Sequence, residues 1–179
     1  MRSQTARTDG YIAFPYLKGE KTMDFLHVDK CDEHISLHDC IATGAYFREG
    51  KLGFEFENGF WVLSSHPENS LGETVRTDFS RVEYDLDEGQ DFDATVYVFD
   101  DVDGYKSMRT YIPIQRFVDD INSGKYRLEF LYQYLGYGAR IMECELIFDS
   151  VPYRKECEIK ICADEVSYCW NNMREDAPW

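Results

Sequence analysis

The sequence predicts a mainly β fold of the α+β type: an antiparallel β-sandwich or flattened barrel of roughly eight to ten strands with one short helix at 113–123. Three observations lead to this prediction. Aromatic residues, which are enriched in strands, make up 16% of the chain and include 13 Tyr and 12 Phe. The run 38–65 contains two successive hairpin signals, and one segment alone has the apolar spacing of a helix.

The first hairpin signals lie at the centre of the predicted core. Asn58-Gly59 favours a two-residue type I′ turn, because both residues tolerate positive φ. The strand before it is joined to the preceding strand across residues 48–51, which completes a three-strand meander. Alternation then predicts one apolar face and places Phe60 and Val62 on the other; the apolar face carries Leu52, Phe54, Phe56, Trp61 and Leu63.

The helix prediction depends on end signals as well as on spacing. Pro113 stands at the expected first helical position, and Gly124 follows the expected end at Ser123. The apolar residues fall at i, i+3, i+4 and i+7, which places them on one face; they are Ile114, Phe117, Val118 and Ile121. We therefore expect this helix to lie across a sheet.

A second hairpin is predicted around residues 136–138, with Leu135 opposite Ala139. This register places Glu129 directly opposite Glu145, and that unfavourable contact argues for a different register. The side chains predicted to share one face are Tyr126, Leu128, Phe130, Tyr132 and Tyr134 with Arg140, Met142, Cys144, Leu146 and Phe148. The opposite face is acidic, and a last strand at 157–163 supplies Lys160 to it.

The domain organisation follows from the absence of repeats, linkers and low-complexity tracts. We expect a frayed or disordered N-terminus at 1–9, a single β-rich domain at 10–172 and a polar tail at 173–179. A further hairpin is expected across 18–21, and Pro15 confines its first strand to a sheet edge.

The charge indicates which partners to expect. The chain has 34 acidic and 19 basic side chains, a net charge of −15, which argues against nucleic acid and anionic membranes. We expect a non-catalytic acidic interaction module, such as an inhibitor or immunity-type protein, that binds a basic protein; acidity that serves only solubility is the alternative. The predicted contact residues are Asp85, Asp87, Glu88, Asp91, Asp93, Asp100, Asp101 and Asp103.

The cysteines indicate a reducing compartment. The six cysteines, at positions 31, 40, 144, 157, 162 and 169, form no C-x-x-C pair and no disulfide-scaffold spacing. The first residues lack a signal-peptide pattern, and no apolar run reaches the roughly 18 residues of a membrane span. We expect a cytoplasmic protein with reduced cysteines and no cofactor.

A His/Cys cluster provides the first alternative function, a metal-binding β-barrel. Its members lie within residues 27–40: His27, Cys31, His34, His38 and Cys40. The spacing matches no zinc signature, and His27 and His38 fall on different predicted strands. Cys40 is equally explained as a buried structural thiol.

A tyrosine-rich face provides the second alternative, a small-ligand pocket lined by Tyr126, Tyr132, Tyr134, Arg140 and Trp61. The chain has no nucleophile elbow and no glycine-rich phosphate loop. The acidic run 100–104 is not an EF-hand, because Phe99 and Thr110 occupy its first and last ligand positions. His38, Asp39 and Cys40 are sequence neighbours that alternate between faces. The sequence therefore favours a binding protein over an enzyme and leaves the oligomeric state open.

Overall fold

The computed structural model describes residues 24–87, 93–102, 106–136 and 138–179, which form fifteen strands and one α-helix. The strands are β1 (His27–Asp29), β2 (Ile35–Ser36), β3 (Cys40–Ala42), β4 (Gly44–Arg48), β5 (Lys51–Phe56), β6 (Trp61–Val62), β7 (Val75–Thr77), β8 (Ser80–Leu86), β9 (Ala94–Val102), β10 (Lys106–Ile112), β11 (Arg127–Gly136), β12 (Ala139–Ile147), β13 (Arg154–Ile161), β14 (Ala163–Trp170) and β15 (Met173–Pro178). The mainly antiparallel β prediction is confirmed. More strands form than predicted, because several are only two or three residues long.

Two large sheets enclose the core. One has the order β1-β14-β8-β5-β4 and the other the order β10-β9-β13-β12-β11-β3, while β15-β7-β6-β2 form a smaller third sheet. Phe130 of the six-stranded sheet packs against Phe54 and Phe56 of the five-stranded sheet, with ring centroids 5.3 and 5.6 Å away. Nearby, the Tyr84 hydroxyl is 3.9 Å from the Met142 sulfur. The architecture is therefore a sandwich with an aromatic centre.

The β4–β5 hairpin forms across residues 48–51 as the sequence predicts. Glu49 and Gly50 have φ values of 53° and 73°, and Arg48 pairs with Lys51. Positive φ at both central residues is the requirement of a type I′ turn. The strand before this turn is interrupted, however, because β3 belongs to the six-stranded sheet and β4 to the five-stranded sheet.

The predicted hairpin at Asn58-Gly59 is wrong. β5 and β6 lie in different sheets, and Gly59 ends a turn in which its N–H donates to the Phe56 carbonyl at 3.2 Å. A Cβ at Gly59 would lie 2.1 Å from the Thr77 carbonyl oxygen, so this glycine permits close approach of β7. The predicted faces are reversed beyond the turn, because Phe60 and Val62 are fully buried while Trp61 is only half-buried.

A β-bulge at Leu131 corrects the second predicted hairpin. Leu128 lies opposite Leu146 as expected, but beyond the bulge Leu135 lies opposite Arg140 instead of Ala139. The extra residue transfers Tyr132 and Tyr134 to the outer face, where they are 56% and 50% exposed. Glu129 and Glu145 nevertheless remain directly paired.

The predicted helix is confirmed as α1 (Ile114–Asn122), which Pro113 precedes and Gly124, with a φ of 72°, follows. Its four apolar residues are buried as predicted. Asn122 accepts a hydrogen bond from the Ala45 N–H at 3.0 Å and donates one to the Ala45 carbonyl at 2.8 Å. The helix therefore covers the edge strand β4 and satisfies backbone groups of that edge.

The C-terminal segment predicted as a polar tail forms β15, which pairs with β7. Trp179 follows it, and its backbone N–H donates to the Thr74 carbonyl at 3.0 Å. The predicted frayed terminus and the hairpin across 18–21 lie outside the described residues.

No disulfide forms among the six cysteines, all of which lie in the described part of the chain. Within the same part, no helix combines the length and the hydropathy needed to cross a bilayer.

Candidate functional site

The acidic residues predicted from the loops are dispersed. Asp85 binds Lys51 at 2.7 Å and Asp100 binds Lys155 at 2.5 Å, whereas Asp93 is buried with 4% of its surface exposed. Asp87 is exposed, and Asp101 lies in β9. The other predicted contact residues, Glu88, Asp91 and Asp103, lie outside the described residues.

A denser acidic surface lies on the outer face of the six-stranded sheet. We call it the glutamate face, and its members are Glu129, Glu143, Glu145, Glu156 and Glu158. The register of β11, β12 and β13 creates three directly opposed pairs: Glu129 with Glu145, Glu145 with Glu156, and Glu143 with Glu158. Directly opposed like charges are unfavourable in a sheet, so this arrangement requires compensating cations.

Two arginines of the chain supply part of that compensation. Arg154 donates hydrogen bonds to both Glu129 and Glu145, and Arg109 donates to Glu158 at 2.8 Å. The Arg109 guanidinium also lies 3.6 Å from the centre of the Tyr97 ring. Within the described part of the chain, no ion pair reaches Glu143 or Glu156. The compensation is therefore incomplete at these two positions.

The uncompensated carboxylates line a cavity of about 310 Å³, which we call the glutamate trough. Its polar side chains are all glutamates, Glu143, Glu145, Glu156 and Glu158, and its apolar lining includes Phe99 and Leu131. Ionised carboxylates only accept hydrogen bonds, and within the described residues Glu143 and Glu156 have no cation to donate to them. A guanidinium or ammonium group supplies the donors that this arrangement lacks.

A second cavity, of about 460 Å³, lies beside Tyr132, and we call it the His38 groove. Asp32 lines this groove. Its carboxylate is bound by Arg140, with Nη1 2.7 Å from each oxygen, and by the Tyr168 hydroxyl at 2.5 Å. Burial raises the pKa of Tyr168, so its hydroxyl remains a donor. The charge of Asp32 is thus paired with that of Arg140 within the protein.

Irregular backbone holds His38 at the groove. Its Nδ1 lies 2.5 Å from the carbonyl of the bulged Leu131, and its own carbonyl accepts a hydrogen bond from the Trp61 indole at 3.0 Å. Asp39 has a φ of 55°, in the left-handed region that Asp tolerates better than most residues. Bulges are over-represented beside binding and active sites. No sequence pattern indicates this bulge.

The predicted tyrosine-lined pocket is only partly assembled. Tyr132 lines the His38 groove, Arg140 binds Asp32 of the groove lining, and Trp61 donates to the His38 carbonyl. Tyr126 is instead buried beneath α1, where its ring centroid lies 5.9 Å from that of Phe117. Tyr134 lies on the outer face, where desolvation and the nearby Glu143 carboxylate raise the pKa of its phenol.

The His/Cys cluster is divided by the fold. His27 pairs with Glu68 at 2.6 Å, and Cys40 is buried in the core. Burial raises the pKa of Cys40 to about 12, so this thiol remains protonated near neutral pH and is a poor nucleophile. The side chains of Cys31 and His34 do lie close together, and the Glu33 carboxylate lies within 4.8 Å of both. The spacing of His and Cys does not indicate Glu33, because exposed acidic residues are common without a metal.

Comparisons with known protein families, curated proteins and solved structures found no match for this chain.

Proposed function

We propose that this chain is a non-catalytic interaction module that binds a basic protein by accepting a cationic side chain into the glutamate trough. The observation that supports this proposal is the convergence of four glutamates on one exposed cavity, with two of the carboxylates lacking a cation within the described residues. A directly opposed like-charge pair is destabilising by up to about 1 kcal/mol in a sheet. A bound cation relieves that repulsion, so the free energy that the repulsion costs the unbound protein is recovered on binding.

Arginine is the preferred guest. A guanidinium presents several donors in a planar fork and stacks on aromatic rings, whereas an ammonium is a compact point charge. An arginine of the chain already binds glutamates in this way on the same face, because Arg154 bridges the opposed pair Glu129 and Glu145. Phe99 in the trough lining supplies an aromatic surface next to the carboxylates. A partner arginine that binds Glu143 and Glu156 would give these two carboxylates the kind of cation that Arg154 gives Glu129 and Glu145.

The test uses a short arginine-rich peptide as a defined probe, with a lysine-rich peptide of equal length for comparison. Fluorescence anisotropy measures the Kd for the wild-type chain and for Glu143→Gln/Glu156→Gln. We expect the arginine peptide to bind more tightly than the lysine peptide. Losing two charge-assisted contacts worth about 0.7 kcal/mol each weakens binding by about tenfold.

The matched control removes two carboxylates elsewhere. Glu57 and Glu73 are exposed, so Glu57→Gln/Glu73→Gln changes the net charge equally without touching the trough. We expect this control to bind the arginine peptide almost as tightly as the wild type. Equal losses in both variants would show that net charge alone attracts the peptide. If the wild-type chain binds neither peptide, the proposal is wrong.

The His38 groove supports a second candidate function, binding of a small ligand. The specific observation is that a bulge and a left-handed Asp39 both occur where His38 meets the cavity. Gln133 and His38 offer polar contacts, while Leu37 and Leu135 provide apolar lining. A ligand with an apolar body and one or two polar groups fits this lining. A screen of such compounds by thermal shift, with Tyr132→Ala as the groove variant, tests the candidate.

A further inference from the structure

We infer that Cys31, Glu33 and His34 form a binding site for one divalent ion of the zinc class, independent of the glutamate trough. One ligand atom from each residue lies within 4.8 Å of the other two. Thiolate, imidazole and carboxylate are the three ligand types that zinc accepts in proteins. Calcium and magnesium prefer all-oxygen sites, so the mixed set selects against them.

The local fold explains why these three side chains meet. They belong to a single 3₁₀ turn, Asp32–His34, that Cys31 precedes with extended backbone. Asp32 anchors the turn to the interior by binding Arg140 and Tyr168. The backbone N–H of Cys31 donates to the Asp29 carboxylate at 2.9 Å, which fixes the entry to the turn. With Asp32 committed to the interior, the remaining three side chains share the outer part of the turn.

One ring nitrogen of His34 is engaged in a hydrogen bond, as is common for metal-binding histidines. The Ser65 hydroxyl lies 3.0 Å from Nδ1, which leaves Nε2 for an ion. Metal-binding histidines commonly use one ring nitrogen for the metal and the other for a hydrogen bond of this kind. His34 also packs edge-to-face against His66, with ring centroids 5.8 Å apart. The position of the ring is therefore set by two neighbours.

His66 itself is excluded as a ligand by its hydrogen bonds. Its Nδ1 accepts from the Glu68 N–H at 3.1 Å, and its Nε2 lies 2.9 Å from the Asp29 carboxylate. Both ring nitrogens are occupied and the side chain is buried, so His66 supports the wall of the site. His27 is also excluded as a ligand of this site, because its Nδ1 pairs with the Glu68 carboxylate.

Space for a fourth ligand is present beside the turn. Cys31 and His34 line a cleft of about 370 Å³ together with Asp29 and Glu68. A tetrahedral site at bond lengths of about 2.0 to 2.3 Å requires the three ligand atoms to approach one another more closely, which side-chain rotation on this outer turn permits. A water molecule completes four-coordination in the cleft.

The test is a titration of the whole chain with Co²⁺, which substitutes for Zn²⁺ and reports thiolate ligation by its absorption spectrum. We expect one ion per chain, a thiolate-to-cobalt charge-transfer band, and displacement by Zn²⁺. Cys31→Ser should abolish the charge-transfer band, and His34→Gln and Glu33→Gln should weaken binding by more than about tenfold. Glu33 is exposed, so its variant folds even if another does not.

Matched controls come from a cysteine and a histidine of similar exposure outside the turn. Cys162 is also a partly exposed cysteine and His38 a partly exposed histidine, yet both lie elsewhere in the fold. Cys162→Ser and His38→Gln should therefore bind Co²⁺ like the wild type. The inference is overturned if wild-type protein gives no thiolate band, if the band survives Cys31→Ser, or if His38→Gln abolishes it. Glu143→Gln/Glu156→Gln should leave the titration unchanged, which separates this site from the trough.

Discussion

Asp32 joins the two large sheets through one carboxylate. Arg140 belongs to β12 of the six-stranded sheet and Tyr168 to β14 of the five-stranded sheet, and both bind Asp32. The side chains of Asp32 and Arg140 are only 23% and 16% exposed. Removing one partner of such a pair leaves the other charge poorly solvated, which costs more than the net worth of the pair.

Asp32→Ala should therefore lower the free energy of unfolding by about 2 to 3 kcal/mol, less than for a fully buried pair because some hydration remains. Urea denaturation measures this change. Glu33→Ala, one residue along the same turn but exposed, should change the free energy of unfolding by less than about 0.5 kcal/mol. Combining Asp32→Ala with Arg140→Met should cost less than the sum of the two single changes. Additive losses would contradict the pairing.

Glu83 makes stability depend on pH. Burial alone would raise the pKa of Glu83, but hydrogen bonds from Lys51, at 2.6 Å, and from Tyr46 hold it below the ordinary value of 4.5. The unfolded chain then binds the proton more readily, so this contribution is present above pH 4.5 and is lost as pH falls through the lowered pKa.

We expect the wild-type chain to lose stability below about pH 4.5, with part of that loss absent in Glu83→Gln. The variant should also be less stable near neutral pH, because its neutral amide binds Lys51 more weakly. Urea unfolding midpoints across the acidic range measure both effects, and Glu57→Gln is the exposed control. Parallel pH profiles for the wild type and Glu83→Gln would show that Glu83 does not carry this dependence.

Strand β5 shows how the apolar alternation read from the sequence becomes a core. Leu52, Phe54 and Phe56 are fully buried, and Phe56 contacts Phe60 and Phe130. Phe56→Ala should lower the free energy of unfolding by about 3 to 5 kcal/mol, as other buried Phe truncations do. Leu71→Ala, at an exposed position, should be nearly neutral in the same urea titration. A small effect at Phe56 would mean that this part of the core collapses around the missing ring.

The elements that the sequence predicts well are those whose pattern is local. Spacing and end signals place α1, and strict alternation places β5, whose Leu52, Phe54 and Phe56 are buried as predicted. The hairpin at 48–51 is also local, because its turn depends on two adjacent residues. In each case the residues that determine the structure are neighbours along the chain.

The failures arise where a distant strand determines the conformation. Gly59 resembles a hairpin turn in the sequence, but its role is to admit the Thr77 carbonyl of β7. The bulge at Leu131 reverses the faces of Tyr132 and Tyr134, and no residue beside it indicates this change. A single extra residue therefore moves two of the predicted pocket tyrosines to the outer face.

The candidate protein-binding site depends on the register of three strands. Glu129, Glu143 and Glu156 lie far apart in sequence, and only the pairing of β11, β12 and β13 brings them together. The sequence does contain a signal, because E-x-E occurs in β12 and again in β13, which places glutamates on one face of each strand. Charge counting alone favours the acidic loops instead, since it ignores which face a side chain occupies.

The net charge of −15 and the local trough should act on different rate constants. Long-range attraction between an acidic protein and a basic partner speeds encounter and is screened beyond a Debye length of about 10 Å at 0.1 M salt. Contacts inside the trough form only after encounter, so they determine the dissociation rate constant. Surface plasmon resonance with the arginine-rich peptide immobilised separates the two steps.

We expect the association rate of the wild-type chain to fall steeply between about 0.05 and 0.5 M salt, with a smaller change in the dissociation rate. Glu57→Gln/Glu73→Gln removes two exposed charges outside the trough, so it should slow association slightly and leave dissociation unchanged. Glu143→Gln/Glu156→Gln should instead speed dissociation by several-fold at every salt concentration, because it removes acceptors that touch the guest cation. If both variants change only the association rate, the glutamates act through their field and the trough is not a binding site.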